Sequence, residues 1–487
     1  MMYRPNDLDD FLFRIRGQYP HQNTTPNPFF YLVKPTEENL VKYNLRGKNS
    51  RFRLILDFIF FLPLVSIALV KSLSIAIVRI NESRSFHVED NNESKSLIIS
   101  HFTYAQKIED GDIFFGSQEI FEENHTFYLN STRLDGREIH QRFSKAGKLN
   151  QTINTKSLGF FQTIRIHFSQ NALMFSIMRL ALSKSSFSVD EKRLLLKAAR
   201  WQHHRSTIGN LVLRERIRAV LKRIQPNEIV LTIEGHSHES MILDLRNSEF
   251  RDIKIVGVQH APIVPGQFSF FRLISNFTEL DVLLTSGVTP KNLVLDKVPH
   301  VSVKILGSPK SMTRKPSVVS SSKEMILGAV EGTTESLETF INLFNDLAPR
   351  LPQIRFVLRL HPAISDRESN RKLKKLGAFE NLSVSKNTLF DDLCNSKMVI
   401  FRSSAVGIEG LAYSAIPIHY DPSGQNFLNP ISNMKLGVAF FSKSQEIIDF
   451  IEGALRKENS RVLEIYDTFT LFNDYFSPLK NIKGLID

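Results

Sequence analysis

From about residue 90 onward, short apolar runs alternate with longer amphipathic stretches. Ser96–Ser100 (SLIIS), His125–Asn130 (HTFYLN) and Glu228–Ile233 (EIVLTI) read as strands, as do Ile253–Val258, Val282–Thr285 and Val301–Leu306; Asp112–Phe115 (DIFF) is a further short apolar run. Helical periodicity covers Val189–His203 and Ser206–Arg223, with Pro226-Asn227 as a stop, and returns at His238–Leu245. Ser308–Lys323 (SPKSMTRKPSVVSSSK) is polar, basic and poor in hydrophobics, the pattern of a linker. Beyond it the alternation restarts. Strands are expected at Met325–Val330, Ile354–Leu360, Leu382–Ser385, Met398–Phe401 and Ile416–Tyr420, and helices at Thr334–Leu347, Asp366–Leu376, Leu389–Asn395 and Gly407–Tyr413. Alternating strands and helices imply mainly parallel sheets with right-handed crossovers, so the fold class is α/β with two sheets facing across a cleft. The expected divisions are an amino-terminal extension (1–90), a first domain (91–310), a linker (311–323), a second domain (324–465) and a carboxy-terminal segment (466–487). Arg461–Phe476 is long enough for a helix packing back on the first domain.

The amino-terminal 35 residues are polar and lack the apolar core of a secretory signal. The first strongly apolar run is Leu54–Val70, continued more weakly to Val78 and preceded by Arg46, Lys48, Arg51 and Arg53. A spanning helix needs about 20 apolar residues. This run is shorter, has Pro63 in its middle, and carries Asp57, which costs up to ~3 kcal/mol near mid-membrane. A full span would export everything after residue 80 and separate a nucleotide-using domain from its nucleotide. Three readings therefore stand for segment 54–78: a span, an anchor in the membrane plane, or a buried helix pair.

At 487 residues the chain is long enough for two or three domains. Its single cysteine, Cys394, excludes an internal disulfide and a thiolate metal cluster. Sixty-two basic against fifty acidic residues leave +12, which favours anionic partners. Zinc-finger spacing, RNA-binding aromatic signatures and basic heptads are lacking, so no nucleic-acid partner is expected, and an anionic membrane surface or a phosphorylated substrate accounts for the charge.

Candidate chemistry clusters after strands, where open α/β sheets bind ligands. Glu234 ends an apolar strand, and Gly235 permits a sharp exit, so Glu234 is a candidate general base; a carboxylate capping the next helix is the plainer reading. His236 and His238 form an HxH that could bind zinc, but no further ligands with defined spacing follow, and no metal is expected. Gln259 and His260 follow the next strand, with His260 a candidate for proton transfer or for a loop hydrogen bond. In Arg359-Leu360-His361-Pro362 the proline stops the strand and fixes His361 at the sheet edge, where it could donate to a departing phosphate. Arg359 would supplement it or pair with an acid. Arg402-Ser403-Ser404 leads into a helix, where hydroxyls and free amides could hold an anion, and Glu409 could accept from ribose hydroxyls or complement the helix dipole.

With these motifs in order, residues 95–440 resemble the GT-B glycosyltransferases, which have two Rossmann-like domains. The likeness is closest to bacterial enzymes using CMP-activated sugars, the sialyl-, polysialyl- and Kdo transferases of surface-polysaccharide assembly. Their acidic-Gly, His-Pro and Ser-Ser motifs match Glu234-Gly235, His361-Pro362 and Ser403-Ser404. EGHSHE followed by GVQHAP is also similar to surface-carbohydrate biosynthesis proteins with EGxxxE and QH segments. Two features depart from the pattern: Ile233 stands where a second acid is expected, and the amino-terminal ~90 residues lie outside the match. The resemblance implies transfer of a sugar, a CMP-activated ulosonic acid, to a saccharide or lipid-linked acceptor. The alternatives are UDP- or GDP-sugar transfer, CDP-polyol phosphotransfer with His260 as base, a non-catalytic scaffold, and a metal-dependent hydrolase using His236, His238 and His260. In the leading reading Glu234 is the base and His361, with Ser403 and Ser404, stabilises the leaving phosphate. Arg359, Arg402 and Glu409 belong to the nucleotide side, and His236, Glu239 and Gln259 to the acceptor side. The nucleotide sugar is a co-substrate, and neither cofactor nor metal is implied. The expected location is cytoplasmic, at the inner face of the bacterial inner membrane.

Overall fold

The computed structural model describes residues 96–102, 125–131, 152–153, 160–182, 187–201, 205–276, 280–311, 325–455 apart from 363, 365, 425, 433 and 435–438, and then 468–482 and 485. Segment 54–78 and the Asp112–Phe115 run lie outside these residues. Among the described residues no helix is long and apolar enough to cross a membrane.

The first sheet takes β1 (Ser96–Phe102), β2 (His125–Ser131), β3 (Thr152–Ile153), β4 (Glu228–Thr232), β5 (Lys254–Val258), β6 (Val282–Thr285) and β7 (Val303–Ile305), in the order β3-β2-β1-β4-β5-β6-β7. The pairs β1–β2, β2–β3, β1–β4 and β4–β5 are parallel. Its helices are α1 (Phe160–Leu182), α2 (Val189–Trp201), α3 (Arg205–Ile224), α4 (Ser237–Glu249), α5 (Phe268–Asn276) and α6 (Val288–Lys297). Of these, α1, α5 and α6 are not anticipated by the sequence reading. Strands β4 and β5 are buried at every position after the first, as a strand covered on both faces must be.

The second sheet takes β8 (Met325–Ala329), β9 (Arg355–Arg359), β10 (Leu382–Val384), β11 (Ser396–Phe401), β12 (Ile416–Tyr420) and β13 (Ala439–Phe441), ordered β10-β9-β8-β11-β12-β13. Every neighbouring pair in it is parallel. Helices α7 (Thr334–Arg350), α8 (Asp366–Leu373), α9 (Leu389–Asn395), α10 (Val406–Ala412), α11 (Ser444–Leu455) and α12 (Thr468–Tyr475) accompany it. The two-residue period of the strands sorts their side chains onto two faces. Ile326, Phe356, Leu358, Met398, Ile400 and Ile418 pack with Leu337, Phe340 and Phe344 of α7 and Ile447 and Ile451 of α11. Leu327, Val357, Val399 and Phe401 pack on the opposite face with Leu393, Ile408, Leu411 and the aromatic residues Phe472, Tyr475 and Phe476. The chain is therefore α/β with two parallel sheets.

By internal contacts the described chain divides into two compact units. One holds the described residues up to Val258 together with those of Phe268–Leu283. The other holds Gln259–Gln267 and the described residues from Leu284 onward, so that 284–310, which the sequence pattern assigns to the first domain, lies in the same unit as the second sheet. The carboxy-terminal helix α12 is held within this second unit. The Tyr475 hydroxyl accepts from the Ile263 amide at 3.0 Å, and Ser286 Oγ donates to the Tyr475 carbonyl at 3.0 Å. A Cβ on Gly287 would lie 2.4 Å from the carbonyl oxygens of Asp474 and Tyr475, so the close approach depends on glycine there.

Candidate functional site

Each sheet reverses its strand order once, the first between β1 and β4 and the second between β8 and β11. At such a point successive crossovers leave on opposite sides, and the loops beyond the strand ends part to leave a crevice. The Glu234 loop lies at the first reversal, and the loops after β8 and β11 lie at the second.

In the first unit the ladder continues one residue past β4, with the Ile233 amide donating to the Val258 carbonyl at 2.8 Å. Gly235 then takes φ +87°, a conformation disfavoured for residues with a Cβ, and α4 begins. Glu239 lies in the first turn of α4 and is fully buried. Its carboxylate accepts from the amides of Glu234 (2.9 and 3.0 Å), Gly235 (2.8 Å) and His236 (2.9 Å). Glu239 thus folds the turn and is not exposed for the acceptor-side contact expected of it. Burial pushes its carboxyl up to about 7; the neighbouring Glu234 charge acts in the same direction, and the His236 charge and the backbone amides oppose it.

Glu234 is partly exposed, and its Oε2 lies 3.2 Å from His236 Nε2. Burial disfavours the His236 imidazolium, but the hydrogen bond to Glu234 and the charges of Glu239 and Glu234 outweigh it and raise the ring to about 9. The His236 side chain is 48% exposed, so solvent screens part of this attraction. The imidazoles of His236 and His238 stack at 5.5 Å. Among the described residues no group of three or more His, Cys, Asp or Glu side chains could hold a metal ion.

In the second unit a pocket of about 430 Å³ opens at the β8/β11 reversal. It is lined by the ends of β8 (Ala329–Gly332) and β9 (Arg359–Pro362), by the Ser403–Val406 turn with Glu409, and by His260 and Lys310. That volume falls within the ~300–1,000 Å³ usual for small-molecule sites. His260 is carried on the turn after β5. Buried Gln259 fixes that turn, accepting from the Ser286 amide at 2.9 Å and donating to the Ala261 carbonyl at 2.5 Å. Gln259 is therefore a support for the His260 loop.

His361 stands at the end of β9 among the lining residues. Burial lowers its pKa, with Glu331 pulling it up and Lys310 pushing it down; the net lowering leaves the ring neutral at pH 7 with one N–H to donate. Arg359 also lines the pocket, but its guanidinium donates to Asp392 Oδ2 at 2.7 Å and to the Asn387 carbonyl at 3.0 Å. Asp392 is fully buried and also accepts from Ser385 Oγ at 2.6 Å. Of the two roles open to Arg359, the acid pair is present.

The Ser403 amide donates to Glu331 Oε1 at 3.0 Å, joining the two sides of the reversal, and Ser404 Oγ accepts from the Val406 amide at 3.3 Å. Helix α10 has only seven residues, and Ala405 before it already has helical dihedrals. A free helix-start cradle is therefore not what the Ser403-Ser404 segment provides; it offers two hydroxyls on a turn tied down by Glu331. Arg402 is buried, does not line the pocket, and points its Nε toward Asp421 Oδ1 at 3.8 Å. Glu409 reaches the pocket but is engaged by Lys310, Nζ to Oε1 at 2.7 Å.

Two charged lining residues, Lys310 and Glu331, were missed in the sequence. Lys310 sits in the polar run read as linker. Glu331-Gly332 ends β8 as Glu234-Gly235 follows β4, and the parallel extends to position i+5. Ser336 Oγ accepts from the Glu331 amide at 3.2 Å, as Glu239 accepts from that of Glu234. Acid-Gly after an apolar strand, with a hydrogen-bond acceptor five residues after the acid, is the signal that could have found it.

No family model matches the chain, and no curated protein matches it. Among solved structures it is similar to UDP-GlcNAc 2-epimerase from Neisseria meningitidis bound to UDP-GlcNAc, with 12% identity over 78% of this chain and 97% of that one, at a TM-score of 0.44. It is also similar to a glycosyltransferase from Rickettsia africae, with 11% identity over 80% of this chain and 97% of that one, at a TM-score of 0.45. The pneumococcal O-GlcNAc transferase in complex with UDP and GlcNAc shows 12% identity over 56% of this chain and 58% of that one, at a TM-score of 0.38.

Proposed function

We propose that the chain is a GT-B glycosyltransferase that takes its nucleotide-sugar donor into the pocket of the second unit. The observation that carries this reading is the place and lining of that pocket: a strand-order reversal in a fully parallel sheet, with a neutral imidazole, a lysine, two hydroxyls and two carboxylates converging. Lys310 and His361 suit the phosphate, and Glu331 suits ribose hydroxyls. In the transfer step His361 donates to the departing phosphate as charge grows on it, and Glu234 takes the proton of the acceptor hydroxyl. The motif order Glu-Gly, His-Pro, Ser-Ser supports a CMP-activated ulosonic acid as donor and a surface polysaccharide as product. No metal is assigned a role.

A second reading keeps the fold and makes His260 the base, as CDP-polyol phosphotransfer would. It is favoured by one observation, that His260 lines the same pocket as His361. Thermal unfolding with CMP, CDP, UDP and GDP separates the donors, because a ligand at 100 times its Kd stabilises by ~2.7 kcal/mol. A shift with CMP above all others supports the CMP-sugar reading. A larger shift with CDP supports the phosphotransfer, one with UDP or GDP a different sugar donor, and no shift with any of them contradicts a transferase.

A further inference from the structure

We propose that Lys310 and Glu409 form an exchangeable latch, in which Lys310 leaves Glu409 to hold the donor phosphate and Glu409 does not contact the nucleoside. This inference rests on the nucleotide reading of the same pocket. It starts from the charges lining that pocket. The fixed cations are Lys310 and Arg359, and the fixed anions are Glu331 and Glu409, so the lining carries no net charge while its imidazoles are neutral. A phosphate entering such a pocket gains little unless one cation gives up its partner.

Arg359 is poorly placed to do so. Its partner Asp392 is fully buried, and releasing it would strand a carboxylate out of reach of water. Lys310 is different. Its side chain is 36% exposed, that of Glu409 is 17% exposed, and the pair lies on the pocket lining, so both groups can be resolvated when they part. The ammonium also lies 5.5 Å from the centroid of the Phe476 ring. That contact gives the ammonium a second attraction that uses no carboxylate, so the amine keeps one partner when it leaves Glu409 for a new anion. Glu331 keeps one oxygen on the Ser403 amide at 3.0 Å, and Glu409 is the carboxylate that Lys310 contacts at 2.7 Å, so Glu409 is the partner that yields.

The latch and the ribose-contact role make opposite predictions for one substitution. Calorimetric titration of the full chain uses whichever of CMP, CDP, UDP and GDP the wild type binds, and the matching nucleoside, cytidine, uridine or guanosine. If Glu409 is a latch, Glu409→Gln binds the nucleotide roughly two- to five-fold more tightly, the range expected for removing a partly exposed ion pair, and binds the nucleoside unchanged. Lys310→Ala binds the nucleotide at least about ten-fold more weakly, and in that background Glu409→Gln brings no further gain. Weaker binding of both nucleotide and nucleoside by Glu409→Gln overturns the latch and leaves the nucleotide reading intact. So does a gain in Glu409→Gln that persists without Lys310. If the wild type binds none of CMP, CDP, UDP and GDP, the nucleotide reading falls and the latch with it. Thermal unfolding of each variant without ligand separates a binding change from a folding defect.

Discussion

Glu239 holds Glu234 by its backbone: both carboxylate oxygens of the buried side chain lie within 3.0 Å of the Glu234 amide. The same carboxylate takes the amides of Gly235 and His236, so three successive donors at the strand exit converge on one group. The position of the candidate base is set by a residue whose charge never reaches solvent.

Replacing Glu239 by Ala leaves those amides without their acceptor, at a cost of ~1–3 kcal/mol for each one that water does not reach. Glu239→Gln keeps one carbonyl oxygen and is expected to lose less. Urea unfolding of both variants measures the difference, and equal stability of Glu239→Ala and wild type would rule out the positioning role.

The His236–Glu234 pair gives a pH dependence of defined sign. The His236 ring is raised from 6.5 to about 9 in the folded chain, so its contribution to stability is complete below pH 6.5 and is lost as pH rises toward 9. Denaturant midpoints measured across pH 6–9.5 should fall more steeply for wild type than for His236→Asn. Parallel curves would contradict the pairing.

Arg359 neutralises a fully buried Asp392. Arg359→Met should therefore destabilise the chain by ~3–5 kcal/mol, the cost of an uncompensated buried charge, and Arg359→Met/Asp392→Leu should recover much of that loss. Chemical denaturation of the two variants checks this; a silent Arg359→Met would place the pair among weak surface bridges.

His361→Ala should lower turnover by ~100-fold, the scale for losing one donor to developing negative charge, with KM for the donor changed much less. A steady-state assay with the nucleotide sugar identified by the binding screen reads both constants. Turnover left intact would remove His361 from the leaving-group role.

Much of the second sheet was legible because its strands are short, unbroken apolar runs bounded by polar turns. Leu389–Asn395 and Ile416–Tyr420 match their expected limits, and β8, β9, β10 and β11 lie within two residues of theirs. Helix α1 was missed because Phe168 and Phe175, both exposed, interrupt the polar face that marks an amphipathic helix. The chain from β13 to α11 was missed because the Pro- and Asn-containing sequence after Tyr420 (DPSGQNFLNPISN) interrupts the apolar alternation. His361, Ser403, Ser404, Glu409 and His260 were found by their places after strands, and the pocket collects all five. What sequence could not give was partnership. Arg359 and Arg402 look alike as strand-end cations, yet one pairs with Asp392 beside the pocket and the other turns toward Asp421 away from it. Charge pairing across elements 19 to 33 residues apart depends on which strands become neighbours, and a local pattern does not carry that.

The proposed place of the nucleotide is the crevice between the ends of β8 and β11. Amide hydrogen exchange with and without saturating nucleotide, read by peptide, tests it most directly. The expected result is added protection in peptides covering Ala329–Gly332, Arg359–Pro362 and Ser403–Glu409, with the interior strand β5 unchanged. Nucleotide binding that leaves those three segments unprotected would contradict the account.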